Sequence, residues 1–384
     1  MTSDSCNSIL KGHLGRISGT LLIALWLSLL FLPFKGPGAT AVFFLAVAAA
    51  VFLFRYMLDL RKSLEAKLPS FNMAEFLSRR RAYAGVLFLL VLLALPLFAG
   101  DYLLDVAILA GIYIILALGL NVVVGFAGLL NLGFAAFYAI GAYAYALLNV
   151  KLGIGFWPAL PVSLLLTTLG GFLLAIPALR LRGDYLAIVT LGFGEITRLI
   201  LNNWDSLTRG PNGISGIARP EILSTSFSGI SSFYYLVFFL AVVTVFLIQR
   251  VRASRIGRAW IAIREDEVAS SVMGINNTAY KLYAFAFGAF WAGLAGSLFA
   301  AKMQFVSPES FTFMESVLIV CMVILGGLGS IAGVVVGAFI LIVLPEMLRE
   351  AQLYRMLALG AGLVILMIFR PQGLLGGRGV SLRS

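Results

Sequence analysis

Long apolar runs separated by short polar stretches set the pattern of this chain. Runs at 19–34, 39–58, 83–99, 103–124, 134–149, 157–179, 186–201, 233–249, 281–301, 314–347 and 353–369 approach or exceed the ~17 residues that a short membrane-crossing helix needs. The run at 314–347 reads as one long interrupted span or two short ones. The pattern predicts an all-α polytopic integral membrane protein with about 10–12 transmembrane helices, some interrupted by glycine. Lys11 and Arg16 precede the first run, but no small-residue cleavage site follows it, so it is read as an uncleaved first span.

Composition agrees. Hydrophobic residues make up 61% of the 384 and charged residues 12%, with a mean hydropathy of +1.02, a surface no soluble fold could keep dispersed. The net charge of +11 then acquires a topological meaning. With spans alternating, the segments 1–18, 55–81, 180–182, 250–281 and 370–384 carry 20 of the 28 Lys and Arg residues. Short basic loops stay in the cytoplasm, so both termini are expected there, with the basic loops against anionic lipid. Nucleic acid is not needed to explain the charge, since no basic face alternates with aromatics on a soluble domain.

One polar block, Gly257 to Asn277, falls inside a basic loop. Its periodicity predicts a surface helix over 258–274, with Trp260, Ile263, Val268 and Ser271 on one stripe. Arg264, Glu265, Asp266 and Glu267 form a charged belt, and Gly274 is a helix stop. Such a helix suits the docking of another protein.

Two glycine clusters are candidates for close packing or helix breaks: Gly119, Gly125, Gly128 and Gly133 with Asn121 and Asn131, leading to Gly141, and Gly326, Gly327, Gly329, Gly333 and Gly337. Small-residue packing and lining of a translocation path are both compatible with them, because irregular backbone at membrane depth is tolerated against protein or a watery cavity. Their similar layout hints at an internal repeat. Glu195 and Arg198 share a helical face within a span, as an internal ion pair or as a polar wall of the path. The loop 204–220, with turn chemistry at Pro211, Asn212 and Gly213, reads as a partner-docking surface or a solvated connection.

Several chemistries drop out. There is no Gly-Lys dipeptide, hence no phosphate-binding GxxxxGK[ST] loop. With one histidine (His13) and two remote cysteines (Cys6, Cys321), neither a metal site nor a disulfide framework is expected, and no cofactor is expected.

The motifs in order, GLNVVVGFAGLLNLGFAAFYAIGAY (119–143), LRGDYLAIVTLGFGEITR (181–198), GPNGISGI (210–217), AIREDEVASSVMGIN (262–276), GGLGSIAGVVVGA (326–338) and FRPQGLL (369–375), resemble the LivM-type permeases of bacterial branched-chain amino acid ABC transporters. The resemblance implies an inner-membrane permease, not an enzyme, forming half of a path for hydrophobic amino acids. It also implies a LivH-type second permease, two cytoplasmic ATPases that hydrolyse the ATP, and a periplasmic substrate-binding protein. Residues 1–82 correspond to an N-terminal extension with two spans and a basic linker, 83–375 to the permease domain and 376–384 to a cytoplasmic tail. The E-A-A-x-x-x-G docking loop of such importers matches at Ala269 and Gly274 only, so docking carries over to the helix as a whole and to those two residues. Relatives that move urea, amides or aromatic acids keep the substrate open. An ion-coupled secondary carrier, with Glu195 and Arg198 as the coupling pair, is the alternative of a different class.

Overall fold

The computed structural model describes residues 100–347 except Arg180, Arg182, Leu223, Ser224, Phe227 and Ser228, together with Leu92, Leu93, Leu95, Pro96, Gly360, Gly373 and Leu374. The expected spans at 19–34 and 39–58, most of those at 83–99 and 353–369, the extension 1–82 and the tail 376–384 lie outside the described residues.

The described chain is helical: α1 (Asp101–Leu120), α2 (Phe134–Leu152), α3 (Phe156–Ala178), α4 (Asp184–Asn203), α5 (Ile230–Ala253), α6 (Arg255–Glu265), α7 (Glu267–Val272), α8 (Asn277–Met303), α9 (Phe313–Gly326) and α10 (Ile331–Met347). Among the described residues, five helices are long and apolar enough to cross a membrane, α1 being extended to Phe126 by a wider π-helical turn. The α4 segment matches the expected span at 186–201, but it carries Asp184, Glu195 and Arg198. The run at 314–347 resolves into α9 and α10, two short helices separated by Gly327 to Ser330.

α8 is the axis of the bundle, with 89% of its apolar window buried and α1, α2 and α3 packed around it. Small residues permit that density. A Cβ on Gly141 would fall 2.5 Å from the Gly293 Cα, so α2 and α8 cross almost backbone to backbone, where dispersion drives association without help from water. α9 and α10 meet the same way through Gly326 and Gly333.

At one end of the bundle β1 (Ile214–Ser215) pairs antiparallel with β4 (Phe305–Val306), while β2 (Glu221–Ile222) and β3 (Thr225–Ser226) form a separate two-residue hairpin. The loop after α4 is thus fastened to the segment after α8. Tyr145 donates to the Ala218 carbonyl at 2.6 Å, and Asn149 accepts from the Ala218 N–H at 2.7 Å. α6 and α7 lie at the other end, between α5 and α8.

Candidate functional site

Two helix breaks meet inside the bundle. Below α1, residues 127–133 leave helical geometry and climb back: Gly128 faces the Arg264 stem, whereas Gly133 packs on Thr190 and Gly194, near the middle of α4. Five extended residues reach about 16 Å, roughly half of the ~30 Å apolar thickness. α2 therefore starts in the interior. α9 starts there too, because its Ser316 hydroxyl accepts the Ala135 N–H at 3.0 Å. At 14 residues and ~1.5 Å each, α9 is too short to cross alone.

Backbone exposed by a break must find partners, since lipid offers none. Side chains supply them. Asn131 Oδ1 accepts from Gly133 N at 3.0 Å, Thr190 Oγ1 from Leu132 N at 3.1 Å, and Asn121 Oδ1 from Gly329 N at 2.9 Å. Both asparagines are fully buried. Among the described residues, the Nδ2 groups of Asn121 and Asn131 have no hydrogen-bond partner. The structure thus joins Asn121, Gly125, Gly128 and Gly329 in one place, around Arg264, with Asn131 higher in the same loop.

Arg264 ties this place to the polar block. Its Nη1 donates to the Gly125 carbonyl, and its Nη2 pairs with Glu265 at 3.0 Å. The guanidinium also faces Gly329. Gly128 (φ +70°) and Gly329 (φ +80°) occupy left-handed backbone that a side chain would strain. Gly327 (φ +106°) turns the chain after α9 and touches Gly373, while Leu374 N donates to the Leu325 carbonyl at 2.8 Å. Gly326 instead serves helix packing.

The polar block is two helices, correcting the single helix expected over 258–274. The periodicity continues past Glu265, but Asp266 leaves the helix (φ −155°) and its carboxylate caps the next one, accepting from Val268 N at 2.8 Å and Ala269 N at 3.0 Å. The stripe breaks with it: Trp260 and Ile263 are buried, whereas Val268 is 63% exposed and Ser271 is exposed. Trp260 Nε1 donates to the Tyr280 carbonyl at 2.8 Å. Glu267 pairs with the buried Lys281 of α8 at 2.6 Å, anchoring α7 on the central helix. Those two N–H bonds hold the Asp266 carboxyl below the usual carboxylate range. Gly274 (φ +84°) follows α7.

Glu195 and Arg198 do form a pair, at 2.9 Å, but both side chains are about one-third exposed, 34% and 30%. The pair lies on the outer face of α4, not enclosed in the bundle interior. Gly194, next to it, packs on Gly133. Pro211 and Asn212 are exposed at the opposite end, and Gly213 (φ +67°) is buried against Val306. Thr190, Ser316 and Lys281 escaped sequence reasoning: a hydroxyl inside an apolar run has no periodic signature, and the Lys281 partner lies on another helix.

This is the architecture of a polytopic helical membrane protein whose spans are interrupted inside the bundle. The chain belongs to the family described as branched-chain amino acid transport system, permease component, whose profile matches residues 102–369. It is 49% identical over 316 residues to the high-affinity branched-chain amino acid transport system permease protein LivM of Escherichia coli K12, covering 75% of this chain and 74% of that one. It is 27% identical over 289 residues to the permease protein LivH of the same bacterium, covering 70% and 92%. A probable LivM of Methanocaldococcus jannaschii is 26% identical over 275 residues, covering 62% of this chain and 79% of that one. No solved structure matches.

Proposed function

We propose that this chain forms half of the translocation path of an ATP-driven importer for branched-chain amino acids in the bacterial inner membrane, with both termini cytoplasmic. The path is completed by a LivH-type permease, energy comes from two cytoplasmic ATPases, and the substrate arrives on a periplasmic binding protein. The similarity to LivM supports the substrate class, and the weaker similarity to LivH supports a pair of related permeases.

The observation that carries the mechanism is the bond from Arg264 to the Gly125 carbonyl. α6 and α7, with Arg264, Glu265, Asp266, Glu267, Ala269 and Gly274, are the surface an ATPase grips. Because Lys281 fixes α7 to α8 and Arg264 fixes α6 to the breaks at Gly125 and Gly329, a push on this pair reaches both breaks at once. Asn121 and Asn131, with free amide donors, line the route. Pro211, Asn212 and Gly213, held on the loop pinned by β1 and β4, dock the binding protein. Glu195 and Arg198, paired on the partly exposed face of α4, form a polar wall of the path.

The test is leucine uptake into proteoliposomes holding the full complex, with ATP hydrolysis measured in parallel. A bulky replacement at Ala269, which lies on the docking helix, is expected to abolish uptake and ATPase stimulation while the permease still inserts. Full coupled uptake in that variant refutes the docking assignment, and uptake of urea without leucine refutes the substrate.

A further inference from the structure

Glu195 and Arg198 are paired in a way that leaves part of each group unused. Arg198 Nε at 3.0 Å and Nη2 at 2.9 Å both donate to the same Glu195 oxygen, Oε2. Among the described residues, Glu195 Oε1 accepts no hydrogen bond and Arg198 Nη1 donates none. The pair thus keeps one carboxylate oxygen and one guanidinium nitrogen for another molecule, on side chains about one-third exposed. Near the middle of a helix of 20 residues, charges so exposed belong against water or protein, because hydrocarbon makes them expensive.

The surroundings say which kind of molecule. Residues three, four and seven apart share a helical face, so Gly192, Glu195, Ile196 and Leu199 form one patch, with Arg198 beside Glu195. A Cβ added to Gly192 would meet nothing within 4 Å, which leaves open space one turn before the carboxylate. Ile196 is 58% exposed and Leu199 48%, so uncovered aliphatic surface adjoins the charges. A lone anion is repelled by Glu195 and a lone cation by Arg198. A molecule carrying both charges satisfies both. In an α-amino acid the ammonium nitrogen and the nearer carboxylate oxygen are about 2.7 Å apart by standard bond lengths, close to the 2.9 Å between Arg198 Nη2 and Glu195 Oε2. Such a zwitterion can lie antiparallel over the pair without breaking it.

We propose that Glu195 and Arg198 form a station for a zwitterionic α-amino acid on the path: Glu195 Oε1 accepts from its ammonium, Arg198 Nη1 donates to its carboxylate, and its side chain lies against Ile196 and Leu199. That this face of α4 lines the path rests on the proposed function; the fit to a zwitterion with an aliphatic side chain rests on the contacts.

The experiment follows thermal unfolding of the purified membrane complex, without its binding protein, at equal concentrations of leucine, 3-methylbutylamine, 4-methylpentanoate or urea, which present both charges, the ammonium alone, the carboxylate alone and neither. Leucine is expected to raise the midpoint and the other three to leave it unchanged. The shift should vanish in Glu195→Gln and in Arg198→Gln, while their ligand-free midpoints stay close to wild type, since an exposed pair contributes little to stability. In proteoliposomes with the binding protein, either variant should lower leucine uptake at least about tenfold, the scale of one lost charge-assisted hydrogen bond. A purely structural pair would instead lower the ligand-free midpoint and leave the leucine shift intact. That result, no leucine shift in the wild type, a pair-dependent shift from urea or from either one-ended analogue, or undiminished uptake in the variants overturns the assignment. Should the Gln variants fail to assemble, Gly192→Leu decides: it fills the open space and keeps the pair, and an unaltered leucine shift there overturns the station equally. A wild-type complex that accumulates no leucine yet shows the pair-dependent leucine shift refutes the transport reading and supports the station.

Discussion

Replacing Arg264 by Met should uncouple ATP hydrolysis from transport. Met keeps most of the apolar stem that lies against Gly128 but removes the guanidinium that donates to the Gly125 carbonyl and faces Gly329. The pair with Glu265 contributes little to the loss, because Glu265 is 55% exposed and exposed ion pairs are worth about 0–1 kcal/mol. The bond to Gly125 is charge-assisted and Arg264 is only 20% exposed, so about 1.5–3 kcal/mol of linkage between α6 and the breaks disappears. At 1.4 kcal/mol per factor of ten, that lowers uptake per ATP hydrolysed by between about 10- and about 150-fold. The assay is the ratio of leucine accumulated to phosphate released by the reconstituted complex. A Met variant with the wild-type ratio would show that the breaks do not respond to α6 through Arg264, and the coupling route would have to be abandoned.

Three further outcomes follow from the same contacts. Gly329→Ala forces a side chain into left-handed backbone at φ +80° beside the Gly125 carbonyl; a destabilisation of about 1–3 kcal/mol should lower the unfolding midpoint of the solubilised complex, whereas Gly155→Ala, in open extended backbone, should not. Glu267→Gln leaves the buried Lys281 charge without its carboxylate, at a cost of about 2 kcal/mol read by denaturant or thermal unfolding, and an unchanged midpoint contradicts the anchoring of α7. The Asp266 cap is sensitive to acid: its carboxyl is held below its ordinary value, so its stabilisation is complete above the unfolded value of about 3.9 and fades as pH falls through the lower folded one. Protection of the Val268 and Ala269 amides, measured against the intrinsic exchange rate at each pH, should therefore be lost only below that range in the wild type and be missing at every pH in Asp266→Ala.

The apolar runs alone determined the membrane class and the positions of most described helices, because a run of about 20 residues without charge has no alternative way to satisfy its backbone in lipid. Glu195 and Arg198 were legible as a pair because three residues bring two side chains onto one face of a helix, whereas their partial exposure on the protomer surface was not, since burial depends on which neighbours cover that face. Periodicity placed a helix after Arg255 but ran it through Asp266, where a carboxylate that caps the next helix outweighed the local pattern. Gly125, Gly128 and Gly329 stood out as candidate breaks, yet only the tertiary structure set them around Arg264. Gly125 and Arg264 are 139 positions apart, and no periodicity spans that distance.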